Sequence, residues 1–347
     1  MKKGILIVVY TDDCIFVGPT KKAIRREIEL LKKEEFDLDE EEDIAGFLGV
    51  EISTASDGTK TLTQKGLTER VLKLMGLEDV SGKSTPAEYG TIGSDKDGEP
   101  LDTEWNYSSA LDMMMYLATN ARPDIAFSVN QCARFSNRPT EKHGRAMKRI
   151  TAYLKQTKNK RTIISPTADL TLDLWVDADF ADLWNMEDVK DPICVRSRTG
   201  YVITLGGVPV IWKCKLQTEI ALSTTESEYI AACMGTRELL PMRRILDEIC
   251  ETMGIVRPMS MTMSTVWEDN AAALTLMNPP LRKMTPRSKH MAVKYHWVRS
   301  KVGNRDKRGN ITISAKKIET KDQRADIFNK GLRTADFERI RKFLIGW

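Results

Sequence analysis

From Leu170 to Val176 an aliphatic residue stands at every second place, and the run continues directly into Asp177, Ala178 and Asp179. Period two is the mark of a β-strand with one buried face, so this strand carries carboxylates into or against a sheet. Further on, Gly200 to Leu205 and Val208 to Trp212 are two apolar runs joined by Gly206-Gly207, a hairpin signal. The spacing turns helical at Ser223-Thr224-Thr225-Glu226-Ser227-Glu228, where Ser223 with Glu226, or Thr225 with Glu228, fits a capping box. Pro241 suits the first turn of a second helix better than the inside of one long helix. Thr265 to Glu268 is a short strand that ends in acids, with the helical Ala271 to Leu274 behind Asp269 and Asn270. A basic helix carrying Arg282, Lys283, Arg287, Lys289, His290, Lys294 and His296 follows, then a strand from Asn310 to Ser314. A last helix is predicted with Asp322 as its cap and Asp326 about one turn further on. This half therefore has the order three strands, helices, strand, helix, strand, helix.

The first half has a different rhythm. Ile5 to Tyr10 and Cys14 to Gly18 flank Thr11-Asp12-Asp13 as a β-hairpin with paired acids at its tip. Ile24, Ile28, Leu30 and Leu31 recur at helical spacing between Lys21 and Glu34, and Phe47 to Ile52 returns to strand character. A helix with Val71, Leu72, Leu74 and Met75 ends near Gly76. Residues 79 to 103 are rich in Gly, Ser, Asp, Pro and Lys and read as a linker. A methionine-rich helix from Leu111 to Leu117 and another from Pro139 to Gln156 come next. Three units are expected: 1–78, then 79–165 as linker and helices, then 166–347, the last folding without the rest.

A chain of 347 residues, 41% hydrophobic and 29% charged, is that of a multi-domain globular protein. The net charge of +4 is too small to argue a polyanionic partner by itself. Six cysteines without a CxxC pair argue against zinc and against a disulfide scaffold, and for a reducing compartment. The apolar run from Ile5 to Val9 meets Asp12 and Asp13 and is far too short to span a bilayer, so no membrane is expected.

The chemistry lies in the acids. An ionised carboxylate taken out of water costs several kcal/mol unless a cation or donor compensates it, and for a buried strand ending in Asp177 the usual compensation is a metal. The plainer reading is that Asp177 and Asp179 end an exposed strand in a turn, and the same choice applies to Asp12 and Asp13. Lys148, Arg149 and Lys155 lie in a basic stretch that either follows a phosphate backbone or forms a solvated helix face.

Tyr10-Thr11-Asp12-Asp13 resembles the Tyr-x-Asp-Asp hairpin of reverse transcriptases. Phe47-Leu48-Gly49, Leu62-Thr63-Gln64, Arg122-Pro123-Asp124-Ile125-Ala126 and Asn137-Arg138-Pro139-Thr140 follow the order of copia-type retrotransposon Pol polyproteins. Trp175-Val176-Asp177-Ala178-Asp179, Thr199-Gly200-Tyr201, Ser223 to Tyr229, Glu268-Asp269-Asn270, Ser288-Lys289-His290 and Asp322 to Asp326 resemble that family's ribonuclease H blocks, also in order. The resemblance implies an α/β (α+β) architecture: the end of a reverse transcriptase palm, then thumb and connection helices, then a ribonuclease H-like mixed sheet with flanking helices. It implies Asp177, Glu228, Asp269 and Asp326 as catalytic acids that hold two Mg²⁺ or Mn²⁺ ions, with Glu226 as the rival of Glu228. Asp12 and Asp13 would be part of an incomplete polymerase metal site. Arg287, Lys289 and His290 join Lys148, Arg149 and Lys155 as expected contacts to nucleic acid. The expected activity is endonucleolytic cleavage of RNA in an RNA–DNA hybrid. The alternatives are an RNA-directed DNA polymerase if the protein extends upstream, and an inactive or repurposed nucleic-acid-binding fragment. Expected partners are the hybrid and other parts of the polyprotein, and the expected location is intracellular: cytoplasm, virus-like particles or nucleus. The sequence departs from the family at Met291-Ala292, where an acid is usual.

Overall fold

The computed structural model describes residues 4–40, 44–165, 167–184, 194–278, 296–306 and 309–347. Arg282, Lys283, Arg287, Lys289, His290 and Lys294 lie outside the described residues.

The first acids sit on an antiparallel pair, β1 (Leu6–Tyr10) and β2 (Asp13–Val17), with Tyr10 opposite Asp13. Helix α1 (Lys21–Lys33) follows, capped by the Thr20 hydroxyl, which accepts from the Ala23 N–H. Strands β3 (Gly46–Phe47), β4 (Val50–Thr54) and β5 (Lys60–Thr63) form a meander, and α2 (Lys65–Leu74) turns its Leu67, Val71 and Leu72 inward. Helices α3 (Tyr107–Asn120) and α5 (Glu141–Gln156) pack on α2, and α4 (Ala126–Ala133) packs on α3 and α5. After α5 the chain adds β6 (Thr162–Ile164) to the edge of the meander, in the order β3-β4-β5-β6.

The acid-bearing strand is β7 (Leu172–Asp179), the centre of a five-stranded sheet completed by β8 (Arg198–Leu205), β9 (Val208–Leu216), β10 (Ser264–Glu268) and β11 (Ile313–Lys317) in the order β11-β10-β7-β8-β9. The β7-β8-β9 pairs are antiparallel; β10 is parallel to both β7 and β11. One face of the sheet is covered by α6 (Thr224–Met253), after which come the short α7 (Met259–Thr262) and α8 (Ala271–Met277). Leu172, Leu174, Val176, Tyr201 and Ile203 meet Tyr229, Ile230 and Cys233 there. The last helix is α9 (Thr334–Ile345).

Four expectations need correcting. β7 is buried on both faces, because Trp175 and Val202 point away from α6 into the core made by α2 to α5, the turn Arg324–Phe328 and α9. Pro241 lies inside the single helix α6; it is exposed, so water can satisfy the Arg237 carbonyl that its missing N–H leaves free. The final strand is Ile313–Lys317 rather than 310–314, since β10 starts its parallel register at Ser264 opposite Ile313. Asp326 belongs to the 3₁₀ turn Arg324–Phe328, not to the last helix, and Gln323 rather than Asp322 caps that turn by accepting from the Ala325 N–H at 3.2 Å.

Apolar packing crosses the expected boundary near residue 166. Trp175, Val202, Phe328, Phe337 and Leu344 belong to the same apolar cluster as Val71, Met114, Ile125 and Tyr153. Polar contacts cross with them: the Trp212 indole donates to the Ala118 carbonyl at 2.7 Å and Arg198 to Asn130 Oδ1 at 2.6 Å. Residues 79–103 are irregular, as their composition predicts, yet Ala87, Ile92 and Leu101 pack on this core.

Candidate active site

Asp177 is carried by the central strand, opposite Gly200 of β8. A side chain at Gly200 would sit 2.9 Å from the Ala325 carbonyl, so glycine is what lets the Arg324–Phe328 turn close down on the strand. Gln323 fastens that turn by donating to the Val176 carbonyl at 2.8 Å. Asp177 is 3% exposed, and its Oδ2 accepts from Asn329 Nδ2 at 2.6 Å and from Lys330 Nζ at 3.2 Å.

Glu228 arrives from the start of α6. Ser223 is the cap, its hydroxyl accepting from the Glu226 N–H at 3.2 Å, and Glu226 Oε2 in turn accepts from the Leu222 N–H at 2.8 Å. Glu226 is thus committed to the helix start, and Glu228, two residues on, faces Asp177. One of its oxygens, Oε2, is buried without a hydrogen bond. Asp269 follows the last residue of β10, held there because Asn270 caps α8 with bonds of 3.0 Å from Ala272 and Ala273. Asp177, Glu228 and Asp269 each offer a carboxylate oxygen, all within 4.8 Å of one another, a group that could hold a metal ion. They line an open cleft of about 530 Å³ shared with Asp179, Phe180 and Lys330. Asp326 reaches the group through Lys330, whose ammonium lies 2.7 Å from its Oδ1.

The electrostatics follow from crowding. Burial, the Asp177 charge and the Glu268 charge hold Glu228 well above the usual carboxylate range. Burial and then Asp177 raise Asp269, and burial with the contacts to Asp177 pushes Asp326 up to about 8. Burial and then Asp182 push Asp179 up to about 7. Asp177 moves the other way: burial would raise it, but Lys330 and hydrogen bonds from Asp326, Asn329 and Glu228 hold it below the usual range. Crowding thus favours the charged form at Asp177, beside the Lys330 ammonium, and disfavours it at the neighbouring acids, a balance that a divalent cation would shift.

Asp12 and Asp13 are not brought into this group. Both are exposed on the β1–β2 hairpin, and Asp13 lines a separate cleft of about 950 Å³ with Phe47, Leu48, Arg70 and Tyr116. Among the described residues the only cluster of potential ligands is Asp177, Glu228 and Asp269. Lys148 is exposed on α5, Arg149 is tied to Thr85 at 2.9 Å and Glu88 at 3.4 Å, and Lys155 faces Asp79 at 4.0 Å.

Sequence reasoning passed over Asn329, Lys330 and Glu268. Lys330 stands four places after Asp326, an ion-pair spacing that was visible in the sequence. Glu268 is fully buried, and its Oε1 accepts from the Asn270 N–H at 2.9 Å.

A sheet of three antiparallel strands continued by two parallel ones, with acids at the end of the first strand, at the start of the first long helix and after the fourth strand, is a ribonuclease H-like fold. Over nearly its whole length the chain is homologous to retrovirus-related Pol polyproteins from plant copia-like transposons. It is 31% identical to the retrovirus-related Pol polyprotein from transposon TNT 1-94 of Nicotiana tabacum, over 99% of this chain and 24% of that protein. It is 28% identical to the Pol polyprotein from transposon RE1 of Arabidopsis thaliana, over 98% of this chain and 21% of that protein. The chain thus spans about a quarter of the length of these curated relatives. Among solved structures, the N-terminal RNase H domain of a Mycobacterium tuberculosis protein, determined as a fusion with maltose-binding protein, overlays with a TM-score of 0.30 at 10% identity, over 50% of this chain and 97% of that one. No family model matches the chain. No helix among the described residues is long and apolar enough to cross a membrane.

Proposed function

We propose that this chain cleaves the RNA strand of RNA–DNA hybrids, with Asp177, Glu228, Asp269 and Asp326 as the catalytic acids. The observation that carries the reading is the convergence of Asp177, Glu228 and Asp269 from three separate elements on one open cleft. Acids that only terminated strands or capped helices would have no reason to meet. Their all-oxygen donor set suits Mg²⁺ or Mn²⁺, and the unbonded Glu228 Oε2 is a buried acceptor lacking a partner of the kind such an ion supplies. Two ions held by these acids would supply an activated water and stabilise the leaving 3′ oxygen in an in-line phosphodiester displacement.

The chain's own contribution is positioning. Asn329 fixes the orientation of Asp177, the α6 cap sets where Glu228 projects, and Phe180 gives the cleft an apolar wall beside the acids. Lys148, with Arg287, Lys289 and His290, is assigned to contacts with the hybrid, and the remainder of the Pol polyprotein is the natural partner inside the cell. Polymerase activity is not assigned to this chain, because Asp12 and Asp13 join no cluster of three potential metal ligands among the described residues.

The test is a strand-labelled RNA–DNA hybrid incubated with the purified chain and Mg²⁺. The RNA strand is cut and the DNA strand stays whole, and cutting stops with EDTA or with Asp177→Asn. Cutting that survives Asp177→Asn would count against the assignment.

A further inference from the structure

The four acids are not equivalent in their surroundings. Asp177, Glu228 and Asp269 face one another without a cation between them, whereas Asp177 and Asp326 are bridged by Lys330 Nζ, 3.2 Å from Asp177 Oδ2 and 2.7 Å from Asp326 Oδ1. Among the described residues Lys330 is the one cation in ion-pair contact with any of the four. An ammonium between two carboxylates stands where a second metal ion would have to stand to use the same two ligands.

We propose that Lys330 is a displaceable internal cation. It holds the Asp177–Asp326 position in the metal-free protein, so that the position formed by Asp177, Glu228 and Asp269 takes its ion first and the other is filled only in competition with the lysine. This rests on the metal-binding reading of the cleft. Two features make the lysine a built part of the site. Its backbone is fixed, because the Asn329 and Lys330 N–H groups both donate to the Asp326 carbonyl at 3.3 Å, and the next residue, Gly331, packs where any side chain would lie 2.3 Å from the Glu88 carbonyl. Its side chain, by contrast, is 36% exposed, so the ammonium can swing into the cleft's solvent when an ion replaces it without moving the chain that carries it. A divalent ion also outcompetes a monovalent one for two carboxylates through its doubled charge, which makes the displacement downhill once the ion is abundant.

The readout is Mn²⁺ binding to the full chain without nucleic acid, followed by calorimetry and by the loss of free Mn²⁺ signal in electron paramagnetic resonance. Wild type is expected to show one tight ion and a second at least roughly tenfold weaker. Lys330→Met should tighten the weaker ion by about tenfold and change the tight one by less than threefold, while Lys330→Arg, which keeps a cation, leaves the weaker ion weak. Asp326→Asn should remove the weaker ion alone. Lys330→Gln takes the place of Lys330→Met if that variant does not fold. Unchanged binding of the weaker ion in the Met or Gln variant, or a single ion in both it and wild type, would overturn the proposal while leaving the metal reading intact. Failure of wild type to bind any Mn²⁺ would overturn both.

Discussion

The β1–β2 hairpin and the end of β7 share a local pattern, an aliphatic strand running into carboxylates, yet their acids have opposite fates. Asp12 and Asp13 sit on a two-stranded ribbon, with Val8, Val9 and Tyr10 between 42% and 63% exposed, and the acids stay in water. Around Asp177 the strand is the middle of five, helices cover both faces, and a turn, a helix start and a strand end each deliver another acid. An acid at a strand end becomes a site through what converges on it, not through its own sequence. Burial is the physical marker of that convergence, since a buried acid needs a cation, a hydrogen-bond donor or a proton to offset its lost hydration.

The largest expected effect separates the two regions directly. Asp177→Asn should lower hybrid cleavage by roughly 10³-fold or more, because the residue is shared by every metal-binding arrangement open to the cluster. Asp12→Asn with Asp13→Asn should leave cleavage within about twofold. A large loss from the hairpin pair would mean that the two regions form one catalytic unit.

Dividing the chain between the regions should cost several kcal/mol. A piece spanning 166–347 keeps the sheet, α6 and α9 but uncovers Trp175, Val202, Phe328 and Phe337, each contributing about 1.5–3 kcal/mol when buried. We expect this piece to aggregate or to melt well below the full chain, and a piece spanning 64–347, which restores α2 to α5, to recover most of the difference. Equal melting temperatures for 166–347 and the full chain would show that the shared core is a contact between two independent units.

Much of this was legible beforehand, and the parts that were not share a cause. β7, the β8–β9 hairpin and the α6 cap were readable because each is specified by its own few residues. The second buried face of β7 was not, since Trp175 looks like any aromatic on an exposed face until α3, α4 and α9 are known to lie over it. Nor was β6, whose Thr162 to Ile164 only becomes a strand by pairing with Lys60 to Leu62, about a hundred residues earlier. At the site, Asp177, Glu228 and Asp269 stood out because each lies at a strand end or early in a helix and matches the family's ribonuclease H blocks, and the fold brings the three together. Lys330 and Asn329 were missed because reading a helix from Asp322 hid the sharp turn that folds them back onto Asp177.

The acids should also differ in how pH and metal act on stability. Asp326 and Asp179 titrate in the fold near 8 and near 7, well above the roughly 4 of an unfolded carboxyl. The folded form then holds protons that the unfolded form releases, so their contribution is complete below about pH 4 and lost as pH rises through 7 and 8. In EDTA the melting temperature should therefore fall between pH 6 and pH 8.5, and Mg²⁺ should raise it more at pH 8.5, where no proton has to be displaced. The hairpin variant should keep this behaviour and Asp177→Asn should lose most of the Mg²⁺ effect. A Mg²⁺ effect independent of pH would mean that the ion binds elsewhere.

The smallest expected effect discriminates between two glutamates two residues apart. Glu226 accepts from the Leu222 N–H and its own N–H bonds the Ser223 hydroxyl, so Glu226→Gln weakens a helix cap and should cost about 1 kcal/mol with cleavage largely kept. Glu228 is buried among acids with one oxygen unbonded, so Glu228→Gln removes a source of repulsion. It should leave the melting temperature in EDTA unchanged or higher, abolish its rise with Mg²⁺, and collapse cleavage. The two substitutions therefore move melting temperature and cleavage in opposite senses. A Glu226→Gln protein that is inactive beside an active Glu228→Gln protein would place the metal ligand at the cap, and α6 would then have to begin its first turn about two residues from where Ser223 sets it.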